Sequence, residues 1–335
     1  MRAESFGGDA AVAIESSYPL ILMLMDGAFH SGESLGEQLG VSRAAVWKRI
    51  KGLSKYAIDV ESVKGKGYRI PGGLSLLSRE EVLRHAGANE GALTLDIKTE
   101  TGSTNVDALY AARVRLDQPY AVLAEYQSSG KGRRGRVWHS PFASSIYLSL
   151  AMQFSDGAAR LEGLSLAVGV AVAELLRREG IQGVSLKWPN DVLVNGAKLG
   201  GVLIELTGDF DADCRAVIGV GLNGALPSSL SVDQPVIDLY ELLGVRVDRN
   251  RWAGLLLKEL ISMLDLFSRQ GFAPFRSRWQ SVDGLKGENV TVYQGDVATS
   301  GVALGVTDRG ALLVETACNQ IVEFHGGEVT VRKVV

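Results

Sequence analysis

The sequence predicts a multidomain α+β protein, and three observations lead there. A length of 335 residues exceeds what one core of ordinary size holds, so two or three domains are expected. The charge reverses sign near the start: residues 1–41 hold one base and six acids (−5), whereas residues 42–69 hold eight bases and two acids (+6). From about residue 92 to residue 282, strand-like and helix-like runs alternate. An apolar fraction of 46% and a charged fraction of 22% are those of an ordinary globular chain.

Taken in order, residues 18–71 read as three helices and a hairpin. "YPLILMLMDG" is an apolar helix stopped at Gly27, and "ESLGEQLG" is a short one ending at Gly40, where glycine suits a left-handed turn. Ser42 then caps "RAAVWKRIKGLSK", with Val46, Ile50 and Leu53 on one face. Arg43, Trp47, Lys48 and Lys51 lie around the other side. "AIDVESVKGKGYRI" supplies two short strands joined by a tip that carries Lys64 and Lys66. A tight glycine turn, a cationic second helix and a basic hairpin form the pattern of a winged helix-turn-helix. Its recognition helix addresses the major groove while nearby cations hold phosphates. A small helical domain with a solvated basic face has the same periodicity, and the clustered charge favours DNA.

"LSLLSREEVLRH" reads as a linker and a helix. "TGSTNVDALYAARV" then places hydroxyls and an amide where a helix begins, a pattern that serves capping as well as ligand binding. After the strand "YAVLAEYQ" comes "GKGRRGRVW". Gly130, Gly132 and Gly135 spell G-x-G-x-x-G, and Asp156 follows about twenty residues on, as in a dinucleotide fold. That reading fails because Pro141 and the run "SSIYLSLAM" predict a second strand where a crossover helix is required. Four of the six residues from Lys131 to Arg136 are cationic, so this loop is flexible and built for an anion. Further on, "KWPNDVLVNGAKLGGVLIEL" turns at Asn195-Gly196 and places Lys198 at the head of an apolar strand. Gly200 and Gly201 there point to a close backbone approach by a ligand. Lys198 is either a strand-end cation or, with the arginine-rich loop, half of a phosphate site.

Several classes are excluded or disfavoured. Cys214 and Cys318 make no disulfide framework or zinc knuckle. His30, His85, His139 and His325 have no metal-binding spacing, so no fixed metal site is expected. "YPLILMLM" is too short for the roughly 18 apolar residues of a spanning segment, and "LSLAVGVAVAELL" fits a buried helix. No membrane role and a reduced, cytoplasmic location are expected.

The fragments "GSTN", "GKGRRGRVW", "KWPNDVLVNGAKLGGVLIE" and "GVGLN" occur in the order and spacing of biotin–protein ligases, a family this chain resembles over nearly its whole length. The N-terminal "FHSGESLGEQLGVSRAAVWKRI" and "GKGY" resemble the DNA-binding domain of the bifunctional ligase–repressors. "SGVALGVTDRGALLVE" and "GGEVTVR" resemble their last domain, an SH3-like β-barrel. The resemblance implies a winged helix-turn-helix over 1–75, a mixed α/β biotin/lipoate ligase-like catalytic domain over 82–282, and the barrel over 285–335.

It also implies a two-step reaction. Biotin and ATP, which brings Mg²⁺ with it, give biotinyl-5′-AMP, and the acyl group then passes to a lysine of the biotin carboxyl carrier protein of acetyl-CoA carboxylase. Biotinyl-AMP is at once intermediate and corepressor, promoting a homodimer on an inverted-repeat operator. By family match Lys198 and Arg133 are the catalytic cations. Ser103, Thr104, Asn105, Gln127, Gly130, Lys131, Gly132, Gly200 and Gly201 join both of them around biotin. Arg133, Arg134, Arg136, Trp138, Asn190, Asp191, Lys198, Asn223, Glu328 and Arg332 line the nucleotide side, with Asp191 an ion-handling candidate. Ser42, Arg43, Ala44, Trp47, Lys48, Lys51, Lys64 and Lys66 face DNA. Lys131 replaces an arginine of the family's best-known member, exchanging a bidentate donor for a point charge. "KLGG" replaces the commoner "KLAG". Two other readings are a biotin-sensing regulator without catalysis and a lipoate–protein ligase. Lys198 with the intact glycine loop argues against the first, and the N-terminal module with the GRRGR loop against the second.

Overall fold

The computed structural model describes residues 8–88, 91–113, 118–154, 157–209, 214–228, 230–327 and 329–334; Asp156 and Glu328 lie outside these. At the N-terminus, α1 (Gly8–Leu24), α2 (Gly32–Leu39) and α3 (Arg43–Gly52) precede an antiparallel pair, β1 (Glu61–Val63) and β2 (Gly67–Arg69). Gly40 closes α2 at φ 63°, and the Ser42 hydroxyl accepts from Ala45 N to open α3. The sequence placed the start of the first helix near Tyr18, whereas α1 begins at Gly8 and carries Pro19 inside. Proline removes one helical hydrogen bond, yet Ile14 and Ser17 upstream of it are buried. Packing overrides the local propensity.

The core of this module (Leu20, Leu24, Leu35, Val46, Ile50, Leu53) includes two residues of the central region, Phe142 and Ala143. Phe142 N donates to Tyr56 O at 3.0 Å, and Tyr56 meets Tyr126 edge-on at 5.1 Å.

After the linker comes α4 (Arg79–Ala86). The central region follows as β3 (Thr94–Lys98), α5 (Thr104–Ala111), β4 (Tyr120–Ala124), β5 (Ser145–Phe154), α6 (Leu164–Arg178), β6 (Val184–Lys187), β7 (Asp191–Val194), β8 (Ala197–Gly208) and β9 (Cys214–Asn223). It closes with α7 (Leu239–Leu243), α8 (Arg249–Gln270) and α9 (Ala273–Gln280). The strands form one sheet in the order β3-β4-β5-β9-β8-β7-β6. Only β3 and β4 run parallel. Helices and strands therefore do not strictly alternate, since β6 to β9 follow one another through hairpin turns such as Asn195-Gly196, both at positive φ. The main core, with α6 and α8 buried in it, covers one face of the sheet, while α5 packs on a smaller cluster (Ala108, Ala112, Val122, Ala151, Val217).

The last strands, β10 (Asn289–Gln294), β11 (Val297–Val306), β12 (Leu312–Thr316), β13 (Ile321–Phe324) and β14 (Val329–Lys333), form an antiparallel sheet ordered β13-β12-β11-β10-β14. Its buried Val290, Val306, Leu312 and Val331 are continuous with the central core. Trp188, 2% exposed, donates from Nε1 to Gly310 O at 3.1 Å and joins the two.

Candidate active site and DNA-facing surface

A cleft of about 940 Å³ opens beside the start of α5, between the loop 130–139, the β7–β8 hairpin and β14. Its inner end is polar and buried. Ser103 occupies the N-cap position of α5, but its side chain makes no capping bond. The helix start is served by Gln127, whose Oε1 accepts from Thr104 N at 2.9 Å and lies 3.1 Å from Thr104 Oγ1. Gln127 Nε2 donates to Ser140 Oγ at 2.7 Å. Asn105 and Ser149 continue the network at 2.6 Å, and all of these side chains are at least nine-tenths buried. The sequence did not single out Ser149, a fully buried polar residue of β5.

The outer end carries the charge. The loop leaves β4, makes a short antiparallel bridge between Lys131 and Val137, and returns with Trp138 N donating to Gly130 O at 2.9 Å. It opens no long helix, and β5 pairs antiparallel with β4, which removes the dinucleotide reading. Lys198 Nζ lies 2.6 Å from Asp191 Oδ1 and 5.6 Å from the centre of the Trp138 ring. Arg133 donates from Nη2 to Gly327 O and, at 3.4 Å, from Nη1 to Asn190 Oδ1. Burial holds the Arg133 pKa below its ordinary value, against the pull of Asp191, and neighbouring Arg134 and Arg136 add to the lowering. Arg134, at φ 57°, donates to Thr330 Oγ1 at 2.6 Å.

Lys131, Gly132 and Arg136 line the same cleft, as does Arg332 on β14, whose guanidinium stands 5.4 Å from the Tyr293 ring. Asn223 lines it too, although its amide is committed to Lys198 O (3.2 Å) and Ile237 O (3.1 Å). Gly201 borders the cleft next to Lys198 and Trp138, whereas a side chain at Gly200 would strike Gly221 O at 2.7 Å. Gly130 is hemmed in by Trp138 O and Ser140.

Sequence reasoning missed Gly219 and Gly221 as site-shaping residues. A Cβ at Gly219 would come within 2.2 Å of Asn105 Oδ1, and one at Gly221 within 2.4 Å of the Trp138 ring. The signal was present: glycines two apart in a strand share a face, so "GVGLN" marks a strip of bare backbone. It also missed the wall formed by Leu230 to Gln234 and Val236. The Trp138 Nε1 hydrogen is buried without a partner, a donor free for a ligand. Among the described residues, no group of three or more His, Cys, Asp or Glu side chains is placed to hold a metal ion.

On the N-terminal module, Ser42, Arg43, Ala44, Trp47, Lys48 and Lys51 are all exposed, and Lys51 Nζ lies 5.7 Å from the Trp47 ring. Lys64 and Lys66 are exposed at the hairpin tip. Trp47 is 54% exposed on the same face as these cations. No helix among the described residues is long and apolar enough to cross a membrane.

Comparison with known proteins agrees with this geometry. Residues 101–223 match the biotin/lipoate A/B protein ligase family, residues 20–69 a helix-turn-helix domain, and residues 286–332 the biotin protein ligase C-terminal domain. The bifunctional ligase/repressor BirA of Escherichia coli is 40% identical over 93% of this chain and 96% of its own. That of Bacillus subtilis is 32% identical over 86% and 90%. The biotin protein ligase from Aquifex aeolicus, solved in complex with biotin and ATP, superposes with a TM-score of 0.63 at 28% identity, covering 72% of this chain and 99% of its own. A helix-turn-helix module, a ligase cleft and a C-terminal β-sheet domain thus occur together, and the chain belongs to the bifunctional ligase/repressor family of biotin protein ligases.

Proposed function

We propose that this protein joins biotin to a carrier protein through biotinyl-5′-AMP and uses the same adenylate to control its own binding to DNA. The observation that carries the reading is one cleft holding a buried hydrogen-bonding end and a cationic end. In the first step a biotin carboxylate oxygen bonds to the ATP α-phosphorus and the bond to pyrophosphate breaks. Negative charge gathers there, and Lys198 with Arg133 stabilises it; Mg²⁺ enters with the nucleotide. Trp138, Asn190, Asp191, Asn223 and Arg332 flank the nucleotide. In the second step a carrier lysine attacks the acyl carbon, loses a proton, and releases AMP. The loop 130–136 closes over the adenylate and keeps water from the mixed anhydride.

The chain divides into units at 1–75, 82–282 and 285–335. It works in the cytoplasm, and its acceptor is the biotin carboxyl carrier protein of acetyl-CoA carboxylase. One module with a +6 segment binds a half-site weakly. A two-fold dimer adds a second recognition helix on an inverted repeat. Incubation with biotin, MgATP and apo carrier protein, read by intact mass, tests the ligase: the carrier gains one biotinyl group, and an unmodified carrier would remove the reading. Gel shift and sedimentation with and without biotin plus ATP test the coupling. Operator affinity rises in step with dimerisation, and equal affinity in the monomeric apo state would defeat it.

A further inference from the structure

Helix α3 reads RAAVWKRIKG, and no side chain in it accepts a hydrogen bond. Val46 and Ile50 are buried in the core of the N-terminal module. Ala44, Trp47, Lys48 and Lys51 recur at helical spacing and share the exposed face, with Arg43 exposed beside them. Lys51 Nζ stands 5.7 Å from the centre of the Trp47 ring. This face offers N–H donors and apolar surface, and nothing else. That inventory decides which base edges it can meet. In the major groove adenine and cytosine present amino groups, which need an acceptor. An indole laid over one strips its water and returns no hydrogen bond. Guanine presents two acceptors, which suit Arg43 and the lysines. Thymine presents the only methyl group in the groove, and an apolar side chain gains there alone.

We infer that Trp47 is a specificity-determining residue of the DNA-facing surface, which packs on the 5-methyl group of a thymine in the major groove. The inference rests on the DNA binding proposed above and names what the N-terminal module reads there. Charge selects the occupant, because the exposed cations around the indole complement phosphate. They hold the backbone and carry no sequence information, so discrimination falls to the group between them.

The test uses the full chain with biotin and MgATP to select binding sites from random duplex DNA. In a selected site each thymine is replaced in turn by deoxyuridine, which lacks only the methyl group. Replacement at one thymine of a half-site is expected to lower affinity about fourfold, the scale of one buried methyl group. Trp47→Ala weakens binding to the thymine site and removes that sensitivity, so the two losses do not add. Trp47→Phe keeps part of the sensitivity. The dependence of affinity on salt stays as in the wild type, because Trp47→Ala removes no phosphate contact. A selected site indifferent to the methyl group at every thymine overturns the inference and leaves DNA binding standing. So does a Trp47→Ala variant that keeps the sensitivity, or one that weakens all sequences alike, which assigns the indole to the sugar–phosphate backbone. Loss of self-association in Trp47→Ala, read by sedimentation without DNA, assigns the indole to a protein contact and also overturns it. If Trp47→Ala does not fold, the deoxyuridine series on the wild type and on Trp47→Phe carries the test. If the wild type selects and binds no sequence, the DNA-binding reading falls, and this inference with it.

Discussion

At the inner end of the cleft, Thr104, Asn105, Gln127, Ser140 and Ser149 are buried and hydrogen-bonded to one another. At the outer end, Lys198 is held by Asp191, Arg133 by Gly327 O and Asn190, and Arg134 by Thr330. The first arrangement is complete before any ligand arrives, and a ligand of the right shape meets it without rearrangement. The second holds its cations on protein groups that phosphate must displace. On the proposed function this difference is a division of labour, with recognition preset and catalysis assembled on nucleotide binding.

Each end also adjoins a different flanking module. Glu125, Tyr126 and Gln127 are consecutive. Gln127 serves the pocket, Tyr126 meets Tyr56 of the helix-turn-helix module edge-on, and Glu125 holds the linker. Its Oε1 accepts from Leu77 N at 2.6 Å while Oε2 pairs with Arg249, which also donates to Ser75 O at 2.8 Å. The outer end instead reaches the C-terminal sheet through the guanidinium groups of Arg133 and Arg134.

The largest expected effect falls on the assembled end. Lys198→Ala lowers the rate of adenylate formation by roughly two to three orders of magnitude, the scale of losing one preorganised charge donor. Rapid quench measures it, with an unchanged melting temperature; a wild-type rate would remove Lys198 from the chemistry. Next comes the preset end. Arg249→Ala strands Glu125 in a site where both side chains are 3% exposed. It is expected to cost about 3–5 kcal/mol in chemical denaturation, as for a broken buried pair. A loss below one kcal/mol (roughly the value of a surface pair) would show the linker to be loosely held.

Arg133→Ala is expected to let the adenylate form but escape, giving free AMP several times faster in the absence of carrier, since a lid contact is lost. AMP release at the wild-type rate would separate Arg133 from closure. The smallest effect concerns Glu100, whose Oε2 is buried without a partner beside Tyr56 and Tyr126. Burial pushes its pKa up, so the folded protein holds its proton more tightly than the unfolded chain. The sign follows from linkage: folding is favoured at low pH, and that advantage is lost as pH rises through the raised value. Glu100→Gln therefore raises the melting temperature at neutral pH by a degree or so, roughly. The gain fades below the ordinary carboxylate pKa of about 4. A gain independent of pH would assign it to packing.

Much of this was legible locally. Ser42 announced α3, Gly40 the turn before it, and the cations of 131–136 with Lys198 the outer end. The inner end was half legible, because Ser103, Thr104 and Asn105 sit where capping residues sit. Only the tertiary position of Gln127, 23 residues on, decides between capping and a pocket. The buried Glu125–Arg249 pair spans 124 residues and has no local signature. Nor has the hydrogen bond from Asn105 to Glu205, which spans 100 residues. The upstream turns of α1 were hidden by Pro19, which local propensity weighs as a stop.

The central claim is that a preset acid pocket and an assembled nucleotide site act together on one adenylate. Thermal unfolding with biotin, with MgATP, with both, and with lipoate plus MgATP tests it most directly, because a tightly held adenylate stabilises only the native state. The account predicts a modest rise with biotin alone, a far larger one with biotin plus MgATP, and none comparable with lipoate. Equal stabilisation by lipoate, or a combined shift no greater than the sum of the separate ones, would contradict it.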